Sequence, residues 1–303
     1  MEQLKGRDFL SMADLSRPEV LGLLERAQFY KRGGTTPSLA GKTLGLLFRK
    51  ASTRTRVSFS VAMYRLGGQV IDLDPKVTQV SRGEPIEDTA RVLDRYVDGL
   101  AIRTFDQSEL ETFARYCHIP VINALTDREH PCQALADLLT IQENFDTLHN
   151  LTLAYLGDGN NVAHSLMLAC ASVGVNIRVA TPPGYAPLPE IYQLAQQLAH
   201  HSQVTLTNDP RAAVENCHVI YTDVWASMGQ EQEQTDRMPL FLPYQVNQAL
   251  VELADPDSIV LHCLPAHRGE EITAAVLEGS HSRVWDQAEN RLHVQKALIA
   301  SLL

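Results

Sequence analysis

The 303-residue chain lacks several features that define large classes of protein. It has no apolar stretch near the ~20 residues that a membrane-spanning helix needs, and no apolar signal segment in its first residues. It has no long basic run, and its net charge of −10 disfavours nucleic acid as a partner. Its five cysteines are scattered, which favours reduced thiols over a disulfide framework. These absences predict a cytoplasmic protein without membrane or nucleic-acid partners.

Short apolar runs of buried-strand type alternate with helical patterns along the chain. The runs are 43–48, 69–73, 99–102 and 120–123 before a polar segment at 144–150, and 151–156, 176–180, 204–207, 218–222 and 258–264 after it. Alternation at this spacing predicts the α/β class, with two domains that each contain a mainly parallel sheet flanked by helices. Ligands of such folds bind at the carboxyl ends of the strands.

The first polar cluster is Ser52, Thr53, Arg54 and Thr55, where the predicted strand 43–48 gives way to a helix. Free backbone N–H groups and the positive end of the helix dipole favour an anion there. Three hydroxyls and a guanidinium add directed donors, so the cluster indicates a phosphate-binding site. Because Ser and Thr are also common helix caps, the sequence leaves this alternative open.

Further polar residues stand at other predicted strand and helix ends. His130 and Gln133 project from a helix that Pro131 opens, where they can bind a carbonyl and an amide, or where His130 is only a cap. Arg103 ends a buried strand and fits a ligand clamp. Asp223 follows another strand and suits an amine-bearing ligand, although a helix cap is the alternative.

Two motifs argue against cofactors. The segment from Gly157 to Asn161 imitates a dinucleotide fingerprint but lacks the third glycine, and no acidic residue ends the next strand. His262 and Cys263 suggest zinc, but neighbours on a strand point to opposite faces, and no paired metal-binding spacing accompanies them. We therefore expect neither a cofactor nor a metal.

Together these segments resemble the aspartate/ornithine carbamoyltransferase family. The matching segments, in the family's order, are 48–59, 78–93, 101–105, 130–140, 157–161, 222–229, 262–272 and 288–293. The ornithine-specific branch is the most similar, because the aspartate branch typically has His-Pro-Leu-Pro at positions 262–265. Arg49 and Ala51 depart from the Glu and Pro often found there, and we expect little effect on the chemistry.

The resemblance implies transfer of a carbamoyl group from carbamoyl phosphate to the δ-amine of L-ornithine, as a step of arginine biosynthesis. It implies a carbamoyl phosphate-binding domain at 1–145, an ornithine-binding domain at 146–285, and a C-terminal helix at 286–303 that returns to the first domain. A non-catalytic regulatory subunit is disfavoured, because Arg54, Arg103, His130 and Cys263 are all present.

Site residues carry over position by position. Those implied for carbamoyl phosphate are Ser52, Thr53, Arg54, Thr55, Gln79, Arg103, His130, Pro131, Cys132, Gln133, Cys263, Leu264 and Arg291, and those for ornithine are Asn161, Asp223, Ser227 and Met228. Arg103, His130 and Cys263 are implied to be catalytic. Gln79 matches a position that reaches into a neighbouring subunit, which implies a homotrimer with shared active sites.

Overall fold

A computed structural model describes residues 4–74, 83–226 and 234–303, except for the side chains of 234–236. The chain forms two compact units. Unit 1 consists of Met1–Ala136 and Asn290–Leu303, and unit 2 consists of Asp137–Glu289.

Unit 1 contains a parallel sheet of four strands in the order β2-β1-β3-β4. The strands are β1 (Thr43–Phe48), β2 (Gln69–Leu73), β3 (Gly99–Arg103) and β4 (Val121–Leu125). Among the described residues, five helices accompany this sheet: α1 (Arg17–Lys31), α2 (Thr53–Arg65), α3 (Ile86–Leu93), α4 (Gln107–Tyr116) and α5 (Pro131–Phe145). The last of them, α5, continues into unit 2.

Unit 2 contains a parallel sheet of five strands in the order β7-β6-β5-β8-β9. The strands are β5 (Thr152–Leu156), β6 (Asn176–Ala180), β7 (Val204–Thr207), β8 (Val219–Thr222) and β9 (Ile259–His262). The helices are α6 (Asn161–Val173), α7 (Pro189–Leu198), α8 (Pro210–Val214), α9 (Gln234–Phe241), α10 (Gln248–Val251), α11 (Ala274–Leu277) and α12 (Val284–Leu302), the last of which continues into unit 1.

Burial shows which strands are covered on both faces of their sheet. Every residue of β1, β3, β4, β5 and β8 is buried, as expected for parallel strands covered on both faces. In unit 1, Leu47, Leu100 and Val121 join one apolar cluster with α4. In unit 2, Leu156, Ile220 and other apolar side chains form a second cluster. Each sheet therefore has its own core, and its strand ends are held in place.

The predicted fold class is confirmed: both sheets are parallel, and helices connect their strands. The C-terminal helix also belongs partly to unit 1, where the Arg26 Nη1 donates to Ser301 Oγ at 2.6 Å and Lys31 Nζ donates to Asn290 Oδ1 at 2.8 Å. The predicted domain limits at 145 and 285 stay a prediction. Among the described residues, no helix combines the length and apolar composition that a membrane crossing requires.

The predicted strand 258–264 is too long, because β9 ends at His262. Two residues later, Leu264 has a left-handed backbone with φ 58°. An extended strand cannot continue through that conformation, so the apolar run continues beyond the end of the strand.

Candidate active site

The N-terminus of α2 has neither a side-chain cap nor an acidic residue that would compete with an anionic ligand. The helix begins at Thr53, and its cap residue, Ser52, makes no side-chain capping hydrogen bond. The first turn contains no acidic residue. The free N–H groups of this turn carry partial positive charge, and Arg54 is exposed beside them. The hydroxyl of Ser52 is thus not used as a cap, which favours the ligand interpretation left open by the sequence.

Arg103 lies beside the chain segment that leads into this helix because of the strand register. The parallel pairing of β1 with β3 sets Phe48 opposite Arg103, and the backbone N–H of Arg49 donates to the Arg103 carbonyl at 2.8 Å. Arg103 is only 4% exposed. A buried guanidinium at the carboxyl end of a strand is suited to bind an anionic ligand bidentately.

Arg291 connects the first turn of α2 to the start of α5. One of its amino groups, Nη2, donates to Thr55 Oγ1 at 2.9 Å. The other, Nη1, donates to Gln133 Oε1 at 2.7 Å and lies 3.3 Å from His130 Nε2. All four side chains are buried. Four residues from three distant parts of the sequence therefore form one polar cluster in unit 1.

His130 is neutral in this cluster. Burial is the main cause that lowers its pKa well below 6.5, and the charges of Arg291, Arg103 and Arg54 lower it further. Because a guanidinium can only donate, the contact with Arg291 requires an unprotonated Nε2, and the ring proton is then on Nδ1. His130 can therefore serve as a hydrogen-bonding group without adding charge.

Cys132, which the family resemblance implied for carbamoyl phosphate, has its side chain in the protein interior. Its thiol is buried and donates to the Asn123 carbonyl at 3.4 Å. Burial raises the pKa of this thiol to about 12. Since a thiol of that pKa stays protonated at neutral pH, any contact of Cys132 with a ligand would come from its backbone.

A second polar cluster surrounds Asp223 in unit 2. The Cys263 thiol donates to Asp223 Oδ1 at 3.0 Å, and the Asn160 amide donates to Oδ2 at 2.9 Å. Asp223 follows β8 and Cys263 follows β9, and these two strands are neighbours in the sheet. The cluster presents one carboxylate with a thiol beside it, a set suited to a ligand amine.

His262 and Cys263 do not point to opposite faces of a strand, contrary to the expectation from the sequence. Since β9 ends at His262, the ligand atoms of Asp223, His262 and Cys263 lie within 4.8 Å of one another. Protein groups nevertheless engage both ring nitrogens of His262: Nδ1 accepts from the Leu264 N–H, and Nε2 lies 2.9 Å from Glu271 Oε1. The ring therefore orients the turn that carries Cys263 and Leu264.

Sequence reasoning missed two groups near Asp223. Asn160 caps α6 through its Oδ1, which accepts from Val162 and Ala163, while its amide holds Asp223. Arg237 is buried and donates to Asp158 Oδ2 at 2.9 Å and to the Trp225 carbonyl at 2.8 Å. The cap position was a readable signal for Asn160, whereas Arg237 lies in a stretch without pattern.

The remaining predicted residues divide into two groups. Pro131 opens α5, Asn161 opens α6 and is half-buried, and Leu264 occupies the turn after β9. Gln79, Ser227 and Met228 lie outside the described residues. The roles of all these residues stay predictions.

Family models match both halves of the chain. Residues 7–143 match the aspartate/ornithine carbamoyltransferase carbamoyl-P binding domain, and residues 149–302 match the Asp/Orn binding domain. An ornithine carbamoyltransferase of Thermosynechococcus vestitus is 67% identical, across 100% of this chain and 98% of the relative. One of Trichormus variabilis is 65% identical, across 100% and 99%.

Solved structures are similar along nearly the whole chain. The ornithine carbamoyltransferase of Gloeobacter violaceus is 57% identical with a TM-score of 0.90, covering 97% of this chain and 98% of that one. The enzyme of Pyrococcus furiosus is 50% identical with a TM-score of 0.94, covering 99% and 97%. An anabolic ornithine carbamoyltransferase of Campylobacter jejuni is 38% identical with a TM-score of 0.92, covering 97% of each chain.

Proposed function

The chain belongs to the aspartate/ornithine carbamoyltransferase family, and from this premise we propose that it transfers the carbamoyl group of carbamoyl phosphate to the δ-amine of L-ornithine. The products are L-citrulline and phosphate. The observation that carries the proposal is the polar cluster of unit 1, in which Arg291 joins Thr55, His130 and Gln133 beside the open start of α2.

Carbamoyl phosphate binds this cluster through its two ends. The phosphate is held by the N–H groups and hydroxyls of Ser52, Thr53 and Thr55 and by the guanidinium of Arg54. The carbamoyl end meets His130, Gln133 and Arg291 as donors and acceptors, and Arg103 contacts both the phosphate and the carbonyl oxygen. Donors fixed on the oxygen make the carbamoyl carbon more electrophilic, and fixed positive charge stabilises the departing phosphate.

The reaction needs no covalent intermediate with the protein. The δ-amine attacks the carbamoyl carbon, the bond from that carbon to the bridging oxygen breaks, and phosphate leaves with the electron pair. Proximity and orientation of the two substrates carry much of the rate. An amine with a pKa of about 10.4 is neutral in only roughly one molecule in a few thousand at pH 7, so the site must select the neutral form or generate it by removing a proton.

Asp223 is the proposed acceptor of that proton, either directly or through Cys263. Its carboxylate already accepts hydrogen bonds from the Cys263 thiol and the Asn160 amide, so its two oxygens are fixed in direction. A fixed carboxylate attracts the ammonium form, and together with the Cys263 thiol it is the pair proposed to select or generate the neutral amine. Asn161, Ser227 and Met228 complete the proposed ornithine site, with Leu264 and Cys263 contacting the carbamoyl nitrogen and the attacking amine.

We place the reaction in arginine biosynthesis in the cytoplasm, in a homotrimer with shared active sites. The relative from Campylobacter jejuni is described as anabolic, which supports that direction. An exposed apolar surface supports the assembly: Val57 and Tyr64 of α2 and Ile71 of the edge strand β2 are 55%, 79% and 44% exposed. The two elements are in contact, and exposed apolar side chains on adjoining elements are typical of surfaces that bind another protein.

The experiment is an assay of carbamoyl transfer by the purified protein, with ornithine, putrescine, acetylornithine and aspartate as parallel acceptors. We expect product from ornithine alone. Product from another acceptor only would leave the carbamoyl phosphate site in place and overturn the proposed ornithine site. No product from any acceptor, with carbamoyl phosphate still bound, would instead indicate a regulatory subunit.

A further inference from the structure

Glu109, in the first turn of α4, links the ends of two neighbouring strands of unit 1. Its Oε1 accepts from Arg49 Nη1 at 2.9 Å, and its Oε2 accepts from the Thr104 hydroxyl. Arg49 directly follows β1, and Thr104 directly follows β3. The carboxylate of Glu109 is about one quarter exposed, as is Arg49, with side-chain exposures of 24% and 26%. One partly buried carboxylate therefore bridges the two strand ends.

These strand ends carry groups of the proposed carbamoyl phosphate site. Arg103 is the last residue of β3, immediately before Thr104, and Ser52 occupies the N-cap position of α2 three residues after Arg49. The backbone of Arg49 also donates to the Arg103 carbonyl at 2.8 Å. The next residue, Lys50, is buried, pairs with Asp127 and lies 4.3 Å from the centre of the Phe105 ring. Side-chain contacts to α4 and its flanks thus fix the turn between β1 and α2.

We propose that Glu109 is a positioning residue for carbamoyl phosphate, acting through Arg49 and Thr104. This inference rests on the proposed function. Glu109 sets the distance between Arg103 and the start of α2, so that one phosphate meets both.

The negative charge of Glu109 allows two effects on phosphate binding to be told apart: positioning of the binding groups and long-range electrostatic repulsion. A carboxylate near an anion site weakens anion binding through its long-range field. Removing Glu109 would therefore strengthen phosphate binding if only its field mattered. If Glu109 positions the site, its removal weakens binding despite the gain in positive charge, because a small displacement of binding groups is costly.

The test measures the KM for each substrate and, separately, the Kd for inorganic phosphate by titration calorimetry. For Glu109→Ala we expect the KM for carbamoyl phosphate and the Kd for phosphate to rise about tenfold, with the KM for ornithine within about twofold of wild type. Glu109→Gln keeps a neutral acceptor and should have a smaller effect. Asp106→Asn is the matched control, because Asp106 only caps α4, a role that Asn also fills.

An exchange of the two charges is a second test, read out by the same KM for carbamoyl phosphate and Kd for phosphate. Arg49→Glu should raise both constants, and the double variant Arg49→Glu, Glu109→Arg should restore them to within about threefold, since the ion pair is rebuilt and a Thr hydroxyl also accepts from Arg. Loss of binding in all variants with no rescue by the exchange would contradict the pairing.

The outcomes separate this inference from the proposed function. Unchanged or tighter phosphate binding by Glu109→Ala overturns the positioning role, whatever the wild type catalyses. A wild type that binds phosphate but forms no citrulline contradicts the proposed function, and the calorimetric comparison still decides the role of Glu109. A wild type that binds neither phosphate nor carbamoyl phosphate overturns both.

Discussion

Arg54 and Arg291 carry the same charge in the same unit but differ in burial and in their contacts with the protein. Arg291 is buried, and its amino groups contact three side chains of the protein. Arg54 is exposed at the first turn of α2, and its charge contributes to the lowered pKa of His130. Arg291 is therefore suited to organise the cluster, whereas Arg54 can turn to a ligand.

This difference predicts the effect of Arg54→Ala. Loss of a charge-assisted donor to the leaving phosphate should cost at least ~2 kcal/mol in kcat/KM for carbamoyl phosphate, with little change in stability because the side chain is exposed. Arg65→Ala is the control, since it removes the same charge from the last turn of the same helix. Steady-state kinetics of both variants checks the prediction, and near-wild-type kcat/KM in Arg54→Ala would remove Arg54 from the phosphate site.

The buried neutral His130 predicts a pH dependence of stability. Its pKa in the folded protein lies well below the 6.5 of an ordinary histidine, so below pH 6.5 the unfolded chain binds a proton that the folded protein excludes. Its contribution to the free energy of unfolding should fall as the pH drops from 7 toward 5, by up to about 1.4 kcal/mol per pH unit.

The measurement is urea unfolding of wild type and His130→Asn at fixed protein concentration between pH 7.5 and 5. Asn cannot titrate, so the wild type should lose more stability than the variant below pH 6.5. Parallel curves for the two proteins would mean that His130 is protonated in the folded state, contrary to the neutral ring inferred from its burial.

At the scale of elements, the start of α6 combines a structural and a functional contact. The Asn160 carbonyl oxygen caps the helix and its amide holds Asp223. Asn160→Ser keeps a good cap but is too short to hold Asp223. We therefore expect a free energy of unfolding within about 0.5 kcal/mol of wild type, together with a rise of about tenfold in the KM for ornithine.

Asn160→Ala serves as the comparison, because it loses the cap as well. It should have the same kinetic defect and lose about 1 kcal/mol of stability. Denaturant unfolding and steady-state kinetics with ornithine separate the two contacts. Wild-type kinetics in Asn160→Ser would show that its hydrogen bond to Asp223 is not needed for ornithine.

Strands were predictable from the sequence where polar or turn-forming residues bound a short run that is rich in apolar side chains. The runs 43–48, 69–73, 176–180 and 204–207 coincide with β1, β2, β6 and β7. Local capping was also readable: Ser16 and Glu19 form the predicted capping box before α1. The end of β9 was not predictable from the apolar pattern, because the backbone of Leu264 leaves the extended region in a local turn, in which its N–H donates to His262 Nδ1.

From local sequence patterns the candidate site was predictable only as separate segments, and the family resemblance was what implied that they share one ligand. Hydroxyls at a helix start or an arginine at a strand end suggest ligand chemistry because the local position has a physical meaning. The hydrogen bonds of Arg291 join residues more than 150 positions apart, and the pairs Arg237–Asp158 and Arg49–Glu109 depend on tertiary folding. No periodicity contains such pairings, so only the structure could reveal them.

For the whole molecule, the proposed trimer explains why an edge strand carries an exposed isoleucine. Among the described residues, strand β2 pairs with β1 and with no other strand, and Ile71 on β2 and Tyr64 on α2 are exposed. An unpaired apolar edge invites association unless a partner covers it. Light scattering should therefore give a mass of about three times 33.6 kDa.

Shared active sites predict complementation between two inactive variants. If Gln79 serves the site of a neighbouring subunit, Gln79→Ala and Arg54→Ala each damage every site of their own trimer. A mixed trimer contains one interface at which an intact Arg54 meets an intact Gln79, so random reassembly of an equal mixture should restore about a quarter of the wild-type sites. The measurement is citrulline formation after joint dissociation and reassembly, with each variant treated alone as the control. Activity no higher than the mean of the two separate variants would mean that each subunit builds its site alone.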